Sequence, residues 1–272
     1  MTTATRHFAD LSTAEIGDAL HPDSILILPT GAIEPHGPHL PLRTDLVMAE
    51  AVTAAAHARA VADGQDVWLL PPLAYTKSDE HANLPGAMWL RADTLMRTVV
   101  DLGRSIAATP ARRLLFVNCH GGNSALLEVA LRELRRRFDL QTFLYAAPAR
   151  PGPTEAGFGI HAGWAETSMM LHLRPELVNM SAAKPAVPHT IQANSHIGFG
   201  KPVRFGWLAD DFAESGVIGD PTAATAEIGA ELFTTTVTAL TEAIPEIATF
   251  DPGRVHRKRA PREDPADPNS SP

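Results

Sequence analysis

Leu114-Leu115-Phe116-Val117-Asn118-Cys119-His120-Gly121-Gly122-Asn123 is an apolar run that ends on an imidazole and two glycines. Four large apolar residues in succession read as a buried β-strand, which places His120 at a strand end. The glycine pair gives the chain room to turn sharply and to approach a ligand closely, and Asn123 can cap the helix that follows. That helix is expected over Ser124 to Phe138, because Leu127, Leu131, Leu134 and Phe138 recur at helical spacing while Arg132, Arg135 and Arg136 occupy other faces. A strand that turns directly into a helix is the unit of an α/β fold, and in open α/β sheets sites gather at the carboxyl ends of the strands.

The same alternation continues on both sides. Ser24 to Leu28, Val67 to Leu70 and Thr142 to Tyr145 read as further strands. Asp45 to Ala62 and Asp93 to Ala108 read as helices, and a last helix is expected from an Asp220 cap and Pro221 to about Ile244. The pattern predicts one domain over residues 1–250, a three-layer α/β/α fold around a mostly parallel sheet. Pro148 to Gly157 reads as an active-site loop. Residues 251–272, rich in Pro and charge with Arg254, Arg257, Lys258 and Arg259 close together, read as a disordered tail.

The connection after the first strand carries the chemistry. From Gly31 to Asp45 it holds Glu34, His36, His39 and Asp45 in a chain stiffened by Pro35, Pro38 and Pro41. Glu34 and His36 are two apart, so they leave the same side of an extended backbone, and Asp45 can close the loop from its far end. Oxygen and nitrogen donors of this kind suit zinc, manganese or iron, and a shared carboxylate could bridge two ions. A third cluster, His161 to Ser168, adds another imidazole and Glu166. Its five-residue His-to-Glu spacing is not the one-face spacing of a helical zinc protease motif.

These three segments resemble the signature motifs of the creatininase family of metal-dependent amidohydrolases. Ser78, Glu80, His81, Pro85 and Gly86 resemble a further loop of that family, and Gly219, Asp220 and Pro221 its C-terminal signature. The resemblance implies a creatininase-like fold and two divalent metal ions per chain, bridged by a carboxylate and a water whose hydroxide attacks an amide carbonyl and so cleaves a C–N bond. By position Glu34 and His120 would bind one ion, His36 the other, and Asp45 would bridge. Creatininase has a glutamate ligand two residues after the second motif's histidine, where this chain has Gly122. Glu166 is the expected replacement. His161 is the expected general acid/base, with orientation of a ligand carboxylate as its other reading. Ser78 would contact substrate by analogy, or serve as a turn residue. Family members commonly form homo-oligomers, often hexamers, and the same is implied here.

A Trp-Asp pair of creatininase falls here on Gly157, Phe158 and Gly159, which argues against creatinine as substrate. The leading expectation is hydrolysis of a cyclic amide or formamide in a small polar molecule. Within the family, a mycofactocin-type peptidase that trims a peptide precursor, or a deformylase in deazaflavin biosynthesis, shares the same metal core. A catalytically silent binding protein is the alternative from another class.

Composition excludes several other classes. The 272 residues, 44% of them hydrophobic, suffice for one sizeable core. A single cysteine cannot form an internal disulfide, and with no apolar run of about 20 residues and no secretory leader the reading is cytoplasmic. A net charge of −8 gives no basic footprint for nucleic acid. Cys119 beside His120 suggests a thiol nucleophile only superficially, since adjacent residues on an extended chain face opposite ways. Neither a Walker-type loop nor a Gly-x-Ser-x-Gly elbow is present.

Overall fold

The computed structural model describes residues 6–147 and 150–253. Their helices and strands alternate through α1 (Thr13–Ala19), β1 (Ile25–Thr30), α2 (Thr44–Ala62), β2 (Val67–Leu69), α3 (Ala92–Ala107), β3 (Arg113–Asn118), α4 (Ser124–Phe138) and β4 (Gln141–Ala146), and three helices follow, α5 (Trp164–Leu173), α6 (His189–Gln192) and α7 (Ala226–Thr249). The strands form a sheet in the order β2-β1-β3-β4, with every neighbouring pair parallel.

The strands are apolar on both faces, as a sheet covered on both sides requires. Ile25 and Ile27 of β1 share one face with Leu115 and Val117 of β3, and pack there with Met48 and Val52 of α2, Met169 of α5 and Leu240 and Ile244 of α7. Leu26 and Leu28 turn the other way with Leu114 and Phe116, against Leu95 and Val99 of α3 and Leu127 and Leu134 of α4. This is the three-layer α/β/α arrangement. Each fully buried side chain of this size contributes roughly 1.5–3 kcal/mol relative to exposure, so the two strands weld the layers together.

Register places the site. Ile25 of β1 lies level with Arg113 of β3, and Thr30 level with Asn118, so both strands end together. The Cys119 N–H adds one more bond to the Thr30 carbonyl at 3.0 Å. Gly31 and His120 therefore leave the sheet side by side at its carboxyl edge.

Several elements differ from the sequence expectation. Asn123 does not cap α4: its amide instead accepts from Lys77 N at 3.2 Å and donates to Gly31 O at 3.3 Å and Asn118 Oδ1 at 3.2 Å. Tying three loops together satisfies more buried polar groups than one cap would. The last helix begins later than Asp220, which caps only the short turn Pro221–Ala223. Ala224 is then extended, and Thr225 Oγ1 caps α7 by accepting from Ile228 N at 3.3 Å. The helix continues through Pro245 to Thr249. α5 was not foreseen because Trp164 to Leu173 shows no apolar stripe, the pattern of a helix covered on most sides. Of the expected loop from Pro148 to Gly157, residues 148 and 149 lie outside the described residues, as does the expected tail, with its four basic residues, from 254 onward.

Candidate metal centre

Four segments converge at the sheet edge: the connection after β1, the first turn of α2, the loop after β3, and the turn into α5. Asp45, in that first turn, is buried and offers its two oxygens to different imidazoles. Oδ1 lies 3.1 Å from His36 Nε2, and Oδ2 lies 3.1 Å from His120 Nδ1. Glu34 and His120 complete the second side, with Glu34 Oε2 3.4 Å from His120 Nδ1. Glu166 completes the first, with Oε2 3.8 Å from His36 Nε2. The expected ligands thus fall into two groups that share Asp45: Glu34, Asp45 and His120, and His36, Asp45 and Glu166. Donors about 3.3 Å apart surround a four-coordinate ion with bonds of about 2.0 Å.

Supporting contacts set the orientation of these donors. His120 Nε2 lies 2.8 Å from the Lys77 carbonyl, so that nitrogen carries a proton and Nδ1 is turned toward the carboxylates. His36 Nδ1 lies 3.1 Å from the Glu34 carbonyl, which turns Nε2 inward by the same logic. Ser78, named for substrate contact by analogy, is buried, and its hydroxyl donates to Glu34 Oε2 at 2.5 Å. Glu166 Oε2 accepts from Ala162 N at 2.6 Å, across a turn in which Ala162 holds φ 53.

His161 is buried beside this pair of groups. Its Nε2 donates to the Pro35 carbonyl at 2.7 Å, and its Nδ1 faces Glu34 Oε1 at 3.4 Å. His81 is also buried, 3.5 Å from the same oxygen and ring to ring with His161 at 4.3 Å. His39 is a tie: its Nε2 is hydrogen-bonded to Thr167 Oγ1 at 3.0 Å.

The charges show what the cluster requires. Burial favours neutral groups, yet the imidazoles outweigh it and hold Glu34 down at about 2. Asp45 lies below the usual carboxylate range for the same reason, chiefly through His36 and His120 against its burial. His36 is raised to about 10, because Asp45, Glu166 and Glu34 overcome its desolvation, and His120 is raised well above 6.5 by Glu34, Asp45 and Glu80 in the same way. Desolvation, offset by His36 and reinforced by Asp45, pushes Glu166 up to about 7. Burial and the neighbouring His36 drive His161 well below 6.5. Cys119 is a spectator, its thiol pushed up to about 12 by burial and then by Asp45 and Glu166.

Two buried oxygens, Glu34 Oε1 and Asp45 Oδ2, have no hydrogen-bond donor. A buried carboxylate oxygen without a donor carries a cost of about 1–3 kcal/mol or more. Both orphans face inward-turned imidazole nitrogens, and a divalent cation in place of the imidazole protons satisfies that arrangement. The residues therefore fit a metal pair.

One side chain that shapes the site had no sequence signal beyond its place in the expected loop. Glu155 is wholly buried and its carboxylate accepts from the backbone of Gly152, Trp164 and Asp220, the last two at 2.8 Å each. A Cβ at Gly159 or Gly163 would collide with that carboxylate, and one at Gly219 would come within 2.6 Å of it. Three segments meet on this acid, and two of them lead directly into His161 and Glu166. His161 is held on the remaining side by backbone pairing with Ile218, at 3.1 and 2.9 Å.

Residues 9–244 match the family described as Creatininase, creatinine amidohydrolase. A mycofactocin precursor peptide peptidase of Mycobacterium ulcerans is 37% identical over 84% of this chain and 86% of its own length. A creatinine amidohydrolase of Pseudomonas putida is 33% identical over 62% of this chain and 71% of its own. Among solved structures, a creatinine amidohydrolase superposes with a TM-score of 0.71 at 26% identity, covering 91% of this chain and 100% of that one. A manganese form of creatininase gives 0.70 at 25% identity over 89% and 98%, and a mutant of zinc–zinc type gives 0.67 at the same identity and coverage.

Proposed function

The chain belongs to the creatininase family of hydrolases, and on that premise we propose that it is a metal-dependent amide hydrolase that trims a short peptide. The observation that carries this choice of substrate is the extent of likeness to the mycobacterial relative named a precursor peptide peptidase, 37% identity over most of both chains. The departures from creatininase agree with it. Gly157, Phe158 and Gly159 stand where an aromatic and an acid would contact creatinine, so this loop lacks the groups for that small ring.

Glu34, Asp45 and His120 would hold one divalent ion and His36, Asp45 and Glu166 the other, with Asp45 shared. Bound there, such ions supply Lewis acidity and lower the pKa of a coordinated water toward neutrality. The chain's own groups do the rest. Ser78 and the Ala162 N–H fix the carboxylates of Glu34 and Glu166, and the Lys77 carbonyl fixes the tautomer of His120. His161, with Nε2–H anchored on the Pro35 carbonyl, keeps Nδ1 free to take a proton and return it to the departing nitrogen. Its lowered pKa suits a base that starts neutral at pH 7.

A second reading, hydrolysis of a small cyclic amide or formamide, is favoured by the 33% identity to a creatinine amidohydrolase. Mass spectrometry separates the two. The protein loaded with manganese or zinc is incubated with a panel of short peptides, creatinine and N-formyl compounds. Release of a short peptide fragment is the expected result. Turnover of creatinine or a formamide with intact peptides would transfer the assignment to the second reading, and no turnover of any of them would leave the binding-protein alternative in its place.

A further inference from the structure

The donor set leaves one position to explain. Gly122 stands where the resemblance to creatininase places a glutamate ligand, yet its backbone lies outside the left-handed region, so conformation does not call for glycine there. Space does. A Cβ on Gly122 would land on Glu80 Oε1 and lie 2.5 Å from His120 Nε2. The volume that a side chain at 122 would enter is filled by the Glu80 carboxylate.

Glu80 also comes within 4.8 Å, donor to donor, of Glu34 and His81, but its carboxylate is engaged behind His120. Its Oε1 lies 3.3 Å from His120 Nε2, the ring nitrogen turned away from Glu34 and Asp45, and its Oε2 lies 3.1 Å from Lys77 Nζ. The Lys77 ammonium also pairs with Asp79 at 2.6 Å, which fixes the turn that carries Glu80. The one His120 nitrogen thus faces two acceptors from the same turn, the Lys77 carbonyl at 2.8 Å and the Glu80 carboxylate. A nitrogen between two acceptors keeps its proton, and the opposite nitrogen keeps its lone pair for an ion. Carboxylates placed behind a ligating histidine in this way orient the ring and strengthen binding.

We propose that Glu80 is the positioning residue of His120, and that Gly122 is glycine in order to admit it. The inference rests on reading Glu34, Asp45 and His120 as a metal site. Gly122 then marks a site rebuilt around a carboxylate behind the histidine, with the ligand role left to Glu166. The two positions are coupled: an alanine at 122 must push the Glu80 carboxylate, the mobile end of a side chain, off His120.

The test is metal binding by the full chain, stripped with a chelator and titrated calorimetrically with cobalt or manganese, with the cobalt visible spectrum as a second readout. E80A and G122A are each expected to weaken one ion about 10- to 100-fold and to change the cobalt spectrum, with E80Q between them and the wild type. In the E80A/G122A double variant the losses are expected to be less than additive, since the carboxylate that Gly122 accommodates is already gone and only the contact of the new Cβ with His120 Nε2 remains. Thermal midpoints of the stripped variants control for folding, and E80Q, matched in shape, stands in if E80A does not fold. Wild-type affinity in E80Q and E80A overturns the proposal, as do fully additive losses in the double variant. A wild type that binds no ion at all overturns the metal reading itself, before any variant is compared.

Discussion

Asp45 is the hinge of the site at the scale of single residues, because each of its oxygens faces a different histidine at 3.1 Å. Glu166 is more exposed to test, since it serves only one of the two groups. Replacing it by glutamine keeps the shape and removes the charge. Glu166→Gln is expected to lose one ion per chain by elemental analysis while the ion of Glu34, Asp45 and His120 remains, and an unchanged stoichiometry would strike Glu166 from the ligand set. That Glu34, His36, Asp45, His120 and Glu166 come together agrees with the expectation, which rested on loop spacing and strand ends for the first four and on the resemblance to creatininase for Glu166. Glu155 was not legible, because its three partners are backbone N–H groups contributed by segments as far apart as Gly152 and Asp220. A backbone donor has no residue type to betray it.

Among the secondary-structure elements, the contact between α5 and α7 is the most demanding. A Cβ on Gly229 of α7 would land on the Ser168 carbonyl oxygen of α5, 2.6 Å from its carbon. Glycine inside a helix ordinarily costs about 0.5–1 kcal/mol relative to alanine, so propensity alone favours a substitution. Overpacking works against it, at about 1–3 kcal/mol, and the colliding partner is backbone, which cannot swing aside as a side chain can. Gly229→Ala is therefore expected to lower the thermal midpoint by several degrees, and a raised midpoint would show that the helices separate at little cost. Such close approach is invisible in one sequence, where Gly229 is a single small residue in an Ala-rich stretch. The strand–turn–helix unit at Leu114 was legible because its signal is local, whereas α5 was missed because it is enclosed by elements distant in sequence.

For the molecule as a whole, ions held at this cluster would bear on the stability of the fold as much as on its chemistry. Carboxylates and imidazoles from four segments are held together at the sheet edge, and two buried oxygens there have no donor. An ion that binds the folded chain alone adds about 4 kcal/mol at a thousandfold excess over its Kd. Chelation is accordingly expected to lower the midpoint of thermal unfolding by about 5–15 °C, reversibly on adding manganese or zinc, for a chain of this size. A midpoint indifferent to chelator would mean that the cluster is held by protons on its histidines. No helix among the described residues is long and apolar enough to cross a membrane. The layers were readable from period and composition, while the way the long segment between α5 and α7 folds back over the edge was not, since its pairings of His161 with Ile218 and Ala186 with Gly219 join residues with no common pattern. That fold-back has a consequence for descent. Glu155 fits only while positions 159, 163 and 219 carry no side chain, and its carboxylate occupies the space that their side chains would enter. The four positions form one inherited unit: in any lineage of this fold a change at one is tolerated only with compensating change at the others, so they are expected to vary together across relatives or not at all.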